Sequence, residues 1–363
     1  MRTRIRSILA LTLILGSGAC EWPGAQEAVP RNVILFVGDG MGPEQVRAAS
    51  LYSSGIEAGL VFQAFPHGGS LTTRSADSAI TDSAAAATAI ATGVKVNNGV
   101  ISVRLPGDGS PLLTLLEHYE SMGKASGIVS TKHLSDATPA AFAAHRASRS
   151  MTDAIAADMF AGAGPDLMLG GGGYGISAGL AEANGYAVVV DEAGLAALAN
   201  PRGASESMRV SGQFGSGPMP YMADGLGDLP SLGSMTRKAL ELLSADPDGF
   251  FLVVEGGLID TACHANDLMR AVYELLELNE AVKAALERAA GGSDTLILVL
   301  ADHETGGLID VSGGIGSVSG KFSTTAHSAV NVPVYAWGAG SRRFSGTMDN
   351  SQIPELICGE PLN

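Results

Sequence analysis

FFLVVEGGLIDTACH, residues 250–264, runs five apolar residues into a glutamate, two glycines and then Asp260 and His264, four positions apart. The apolar run reads as a buried strand, and Gly256-Gly257 lets the backbone turn tightly where it ends. Four-residue spacing puts Asp260 and His264 on one face if the backbone there is helical. Taken alone, a surface Asp and His pair would account for them. The context changes the reading, because TLILVLADH, residues 295–303, repeats the pattern and delivers Asp302-His303 just past its own apolar run. NVILFV, residues 32–37, leads in the same way into Gly38-Asp39-Gly40, and His327 precedes the run Val332 to Trp337. Asp39 has an ordinary role open to it, capping the helix after Pro43, and a second as a carboxylate that bridges two cations. In an open α/β sheet the strand ends gather in one crevice, where ligands distant in sequence can meet. Asp, Glu and His together suit Zn²⁺ and Mg²⁺.

Further short apolar runs fall at Gly127 to Ser130, Asp166 to Leu169 and Tyr186 to Val190. Helical patterns lie between the runs: Pro43 to Ser53, Ala84 to Ala91, Leu112 to Met122, Met235 to Leu243, and a long one from about Ala265 to Ala290. This alternation predicts an α/β fold with a mostly parallel central sheet covered by helices on both faces. Residues 30–363 read as a single domain, with the stretch from about Asn200 to Leu232 as an excursion beside the site. The Gly-rich segments Gly170 to Gly175 and Gly313 to Gly320 read as turns, since the first lacks the Gly-Lys-Ser/Thr ending of a phosphate-binding loop.

The chain has 363 residues, 37 acidic against 22 basic, for a formal charge of −15. Such a balance argues against a broad electrostatic grip on nucleic acid or anionic lipid. A phosphate-bearing substrate would need local positive charge, from bound cations or a placed arginine. Arg2, Arg4 and Arg6, then an apolar stretch from Ile8 to Leu15 and small residues up to Cys20, make residues 1–19 an export signal. Lipidation at Cys20 and cleavage after Ala19 or at Ala28 both remain open, so the mature protein is expected to be periplasmic or tethered at the cell envelope. Cys263 and Cys358 could pair in an oxidising compartment, although spacing does not decide it.

Asp82-Ser83 opens the Ala84 to Ala91 helix, which puts Ser83 near backbone N–H groups available to an anion. An N-cap serine is the commonest explanation for such a residue. The same geometry would present a hydroxyl to a phosphoryl group beside a divalent cation.

With these residues in view the chain resembles the alkaline phosphatases. The matching strings are Gly38-Asp39-Gly40-Met41-Gly42, Thr81-Asp82-Ser83-Ala84-Ala85, Thr92-Gly93-Val94-Lys95, Asp136-Ala137-Thr138-Pro139-Ala140, Glu255-Gly256-Gly257 with Asp260 and His264, Ala301-Asp302-His303, and His327 before Val332-Pro333-Val334-Tyr335. They keep the family's order from about Asn32 to Gly340. The resemblance implies a three-layer sandwich and hydrolysis of phosphate monoesters through a phosphoserine on Ser83, with inorganic phosphate as product and an alkaline optimum. It further implies one zinc on Asp260, His264 and His327, a second on Asp39, Asp302 and His303, and Mg²⁺ on Asp39, Thr138 and Glu255. Asp136 would support the Mg²⁺ through water, and Arg149, eleven residues after Thr138, would clamp phosphate. From its surroundings in the sequence alone Arg149 is a cation on a polar helix face. The family also implies a homodimer, with a monomer open because large insertions are missing.

Two positions depart from the pattern. Thr261 stands where some bacterial relatives carry a lysine that reaches phosphate through water, and His133 stands where an acidic residue can occur. Without a lysine at 261, Asp136 is expected to be free to interact more directly with the third cation. The competing readings are a phosphodiesterase or sulfatase of the same superfamily and a non-catalytic surface protein that captures phosphate or metal. Ser83 followed by Ala84 to Ala87 lacks the Pro and Arg that a sulfatase requires. The capture reading leaves Ser83 without a purpose.

Overall fold

The computed structural model describes residues 29–161, 164–199, 209–290, 292 and 294–363. Its strands are β1 (Asn32–Gly38), β2 (His67–Thr72), β3 (Ala125–His133), β4 (Leu167–Gly171), β5 (Ala187–Val189), β6 (Val210–Gln213) and β7 (Phe250–Gly256). After them come β8 (Thr295–Ala301), β9 (Glu304–Thr305), β10 (Leu308–Gly314), β11 (Ser317–Phe322), β12 (His327–Ser328), β13 (Val332–Gly338) and β14 (Gly346–Asp349). The helices are α1 (Pro43–Ser54), α2 (Ser83–Thr92), α3 (Leu115–Ser121), α4 (Ala137–Ala143), α5 (Thr152–Phe160) and α6 (Ala178–Ala183). They continue as α7 (Glu192–Ala197), α8 (Leu232–Leu243), α9 (Leu258–His264), α10 (Leu268–Ala289) and α11 (Ile353–Cys358).

Ten strands form one sheet in the order β14-β2-β13-β8-β1-β7-β3-β4-β6-β5. Every neighbouring pair is parallel except the two that β13 makes, with β8 and β2. β7 and β8 are buried along their whole length, as expected of apolar central strands covered by helices on both faces. The register levels the strand ends: Gly38 lies opposite Gly256 on one side and Ala301 on the other. The loops that leave these three strands therefore emerge at the same edge.

Helix α2 is buried at every residue, because its alanines and threonines let it lie close against α4 and its neighbours. Asp82 caps its N-terminus by accepting from Ala85 N, and Gly93 at φ 80° ends it in the left-handed region. The long helix expected from 265 to 290 is instead two helices. Asn266, at φ 53°, ends α9 in a left-handed turn, and Asp267 caps α10. Within the 200–232 stretch, Val210–Gln213 joins the main sheet, and Met219 N donates to Thr131 O at the end of β3.

Cys263 and Cys358 are both buried free thiols. The export signal and Cys20 lie outside the described residues. No helix among the described residues is long and apolar enough to cross a membrane.

Candidate active site

Four adjacent strands, β8, β1, β7 and β3, aim their carboxyl ends at one place. β1 releases Asp39, β8 releases Asp302 and His303, and β7 ends through Glu255, all of them nearly inaccessible to solvent. Helix α9 adds Asp260 and His264 from one face, and β12 adds His327 opposite Thr305. Gly40 is essential to this convergence. Its φ is 72°, and a Cβ there would lie 2.8 Å from Thr305 Oγ1 and 2.9 Å from Asp260 Cα.

The ligand types gather in two groups, Asp260 with His264 and His327, and Asp39 with Asp302 and His303. In the first, His264 Nε2 stands 3.1 Å from His327 Nε2 and 3.2 Å from Asp260 Oδ1. His264 Nδ1 donates to Thr325 O at 2.6 Å and His327 Nδ1 donates to Thr81 O at 2.9 Å. With both Nδ1 positions holding the proton, two Nε2 lone pairs face each other, which fits a shared cation. In the second group His303 Nε2 lies 3.1 Å from Asp302 Oδ2 and 3.5 Å from Asp39 Oδ1. Asp302 Oδ1 accepts from Gly40 N and His303 N, while Asp302 Oδ2 and Asp39 Oδ1 are buried without a hydrogen-bond partner. Buried carboxylate oxygens of that kind call for a cation. Thr138 Oγ1 is a third buried oxygen without a partner, so the Asp39, Thr138 and Glu255 set also fits a hard ion.

Thr305 links the two groups. Its hydroxyl donates to Asp260 Oδ1 at 2.6 Å and faces His303 Nδ1 at 3.2 Å.

Ser83 is the first residue of α2 rather than its cap, a role held by Asp82. Its hydroxyl is therefore not spent on the helix end and lies 3.1 Å from His303 Nε2. A serine–histidine pair suggests proton abstraction, but the geometry is not that of a triad. The carboxylates Asp302 and Asp39 face the same nitrogen as the serine, and Nδ1 faces a hydroxyl. Burial, with His327 and His264 nearby, also holds the imidazole of His303 well below its ordinary pKa, which makes it a weak base and a good neutral ligand.

Arg149 occupies a turn before α5, not the helix face expected from the sequence, because α4 ends at Ala143 and the chain from 144 to 151 is irregular. Asp82 and Asp136 hold its two terminal nitrogens at 3.3 and 3.0 Å. His145 is likewise off a helix; it bridges Ser102 O and Glu117. Asp136 also caps α4, accepting from Ala137 N. His133 stacks on Tyr174 with centroids 4.1 Å apart, and its Nδ1 lies 3.1 Å from Ser135 Oγ.

Asp136 is not freed by the threonine at 261. Lys132, at the end of β3, brings its ammonium to 3.8 Å from Asp136, 3.9 Å from Asp260 and 4.0 Å from Asp39. Lys132, Thr305 and Ser130, whose hydroxyl donates to Glu255, escaped the sequence reading. Lys132 stands just past the run Gly127 to Ser130, where a single cation has no spacing that announces a partner.

Burial raises the Asp302 carboxyl to about 7, the nearby Asp260 adding to it, and raises Glu255 to about 7 against the hydrogen bond from Ser130. Asp39 is driven well above the carboxylate range by burial, then by Asp260 and Asp302. Without cations, the folded chain keeps protons between pH ~4 and the raised values that the unfolded chain has already lost, so stability falls as pH rises through that window. Chelator-treated protein should therefore melt at a lower temperature at about pH 8 than at about pH 5, and zinc-loaded protein should lose most of that slope. A metal-free melting temperature that does not fall over this range would contradict the crowding.

The alkaline phosphatase family profile matches residues 30–172 and 177–315. Alkaline phosphatase 3 of Bacillus subtilis (strain 168) is 30% identical over 94% of this chain and 93% of its own. Streptomycin-6-phosphate phosphatase of Streptomyces griseus is 33% identical over 95% and 93%. Among solved structures, the alkaline phosphatase from the Antarctic bacterium TAB5 superposes with a TM-score of 0.81 at 30% identity, covering 92% of this chain and 98% of that one. The cold-active enzyme from a psychrophilic Shewanella species gives 0.82 at 29% identity, over 90% and 99%. The profile, the length of these matches and the strand-end clusters agree, and the chain belongs to the alkaline phosphatase family.

Proposed function

We propose that the protein is an exported, metal-dependent phosphomonoesterase that works through a phosphoserine on Ser83, with an alkaline optimum. The observation that carries this reading is the Ser83 hydroxyl, unspent by helix capping and 3.1 Å from His303 Nε2, beside two three-residue ligand clusters. Asp260, His264 and His327 would hold one Zn²⁺, Asp39, Asp302 and His303 a second, and Asp39, Thr138 and Glu255 an Mg²⁺. When bound, such cations offset charge on the attacking and leaving oxygens and favour the deprotonated nucleophile.

The chain's own residues would do the rest. Ser83 Oγ forms a bond to phosphorus as the ester P–O bond breaks and the alcohol leaves; water then attacks phosphorus, restores Ser83 and releases inorganic phosphate. Helix α2 starts at Ser83, so its first N–H groups favour the anion at that point. Arg149 keeps N–H groups for equatorial oxygens while Asp82 and Asp136 fix the plane of its fork. His264 and His327 are oriented by the carbonyls that hold their Nδ1 protons. Export through residues 1–19, tethering at Cys20 and pairing as a homodimer are parts of the proposal that rest on sequence.

Metal analysis of purified protein, with hydrolysis of a monoester, a diester and a sulfate ester, tests the reading. Monoester turnover well above the other two, in protein retaining zinc, is the expected result. A preference for diester or sulfate ester, or metal capture without turnover, would replace it with one of the competing functions.

A further inference from the structure

Lys132 is the only lysine among the described residues whose ammonium forms ion pairs with carboxylates of both ligand clusters. Its side chain is 13% exposed, and its stem is seated over Gly257, where a Cβ would lie 2.4 Å from Lys132 Cγ. The three carboxylates, Asp39, Asp136 and Asp260, stand at almost equal distances of 4.0, 3.8 and 3.9 Å. None is within hydrogen-bond range, so the charge is shared among them rather than paired with one. A fourth carboxylate, Glu255, is next to the same Gly257 position, with its Cδ 3.2 Å from where that Cβ would be.

The two oxygens of Asp39 face different neighbours. Oδ1 faces His303 at 3.5 Å, and Oδ2 faces Lys132 at 4.0 Å. A third ion held by Asp39, Thr138 and Glu255 would draw on a carboxylate that Lys132 already faces. Lys132 therefore holds a positive charge where that ion's charge would act, and like charges this close in a partly buried site oppose each other strongly.

The geometry points to Lys132 as a built-in substitute for much of the third cation's charge: the enzyme holds two divalent ions firmly and a third weakly, and Lys132 sets that weakness. This rests on the two clusters each holding an ion. A lysine reaching Asp136 from β3 would also take over the partner that a lysine at position 261 could otherwise provide.

The test is binding rather than turnover. Protein loaded with zinc to two ions per chain is titrated with Mg²⁺ by calorimetry and equilibrium dialysis, as wild type, Lys132→Met, Lys132→Gln and Lys132→Met combined with Thr138→Val. Wild type should bind a third ion weakly, and the single variants should bind one extra Mg²⁺ on the order of 100-fold more tightly. Adding Thr138→Val should abolish the gain, which locates the ion. Thermal unfolding confirms that each variant is folded. Wild-type protein that is active, zinc-loaded and holds Mg²⁺ through dialysis against magnesium-free buffer overturns this proposal alone, without recourse to any variant. So does a gain in the variants that survives Thr138→Val. Wild type that retains no zinc and hydrolyses no monoester overturns the two-ion reading, and this inference with it.

Discussion

Ser83→Ala is expected to lower monoester turnover by at least about 10⁴-fold while leaving fold and metal content intact. The size reflects loss of the covalent route altogether, since among the described residues no other hydroxyl or thiol replaces the one at the start of α2. Thr81 is nearby in sequence, but its hydroxyl donates to Asp82 O, and the Cys263 thiol is buried and held far above its ordinary pKa by desolvation. The structural cost is small because Asp82, not Ser83, caps the helix, and alanine suits a first-turn position. Three measurements bear on it: steady-state kinetics, zinc content, and trapping of labelled phosphate on the protein at acidic pH. A folded, zinc-replete variant with near-normal turnover would remove Ser83 from the mechanism, and a label that persists in the variant would move the nucleophile elsewhere.

The ends of the central strands were legible because apolar runs of five to seven residues that give way at once to Asp, Glu or His are rare without a site. All seven runs read as strands are strands, and the two ligand clusters assemble from the residues that the pattern singled out. Strands β2, β6 and β14 were not legible. β2 is HGGSLT, whose glycines are there because Gly69 has Gly346 O at 1.9 Å from where a Cβ would be, a reason found in a distant strand. β6 and β14 are four residues each, too short for a period to show. Arg149 was singled out by the family resemblance alone and misplaced by its local surroundings, since periodicity does not reveal that α4 stops at Ala143. Lys132 and Thr305 escaped for a different reason. Their contacts cross between strands, and a single Lys or Thr at a strand end has no spacing that announces a partner. The threonine at 261 was visible as a departure, but its consequence for Asp136 could not be read until the cation arriving from β3 was located.

Chelation should abolish turnover in two kinetic steps, with recovery requiring Zn²⁺. The two clusters differ in access. His264 is 40% exposed and His327 15%, whereas the side chains of His303 and Asp302 are fully buried and Asp39 is 4% exposed. An ion held by Asp260, His264 and His327 can exchange a protein ligand for water or chelator at the surface, and one held by Asp39, Asp302 and His303 must wait for the strand ends to open. The first ion should therefore leave at least about tenfold faster than the second, and its loss alone should cost at least about 10³-fold in rate, because in the proposed reaction each cation would serve one end of the in-line transfer. His264→Ala should accelerate the fast phase and leave the slow one unchanged. Thr305→Val should disturb both phases, since that hydroxyl bonds Asp260 and faces His303. Zinc release tracked with a chromogenic chelator, alongside activity in the same samples, separates these effects. Release of both ions in a single phase, or a His264→Ala variant whose slow phase alone changes, would show that burial does not set the order.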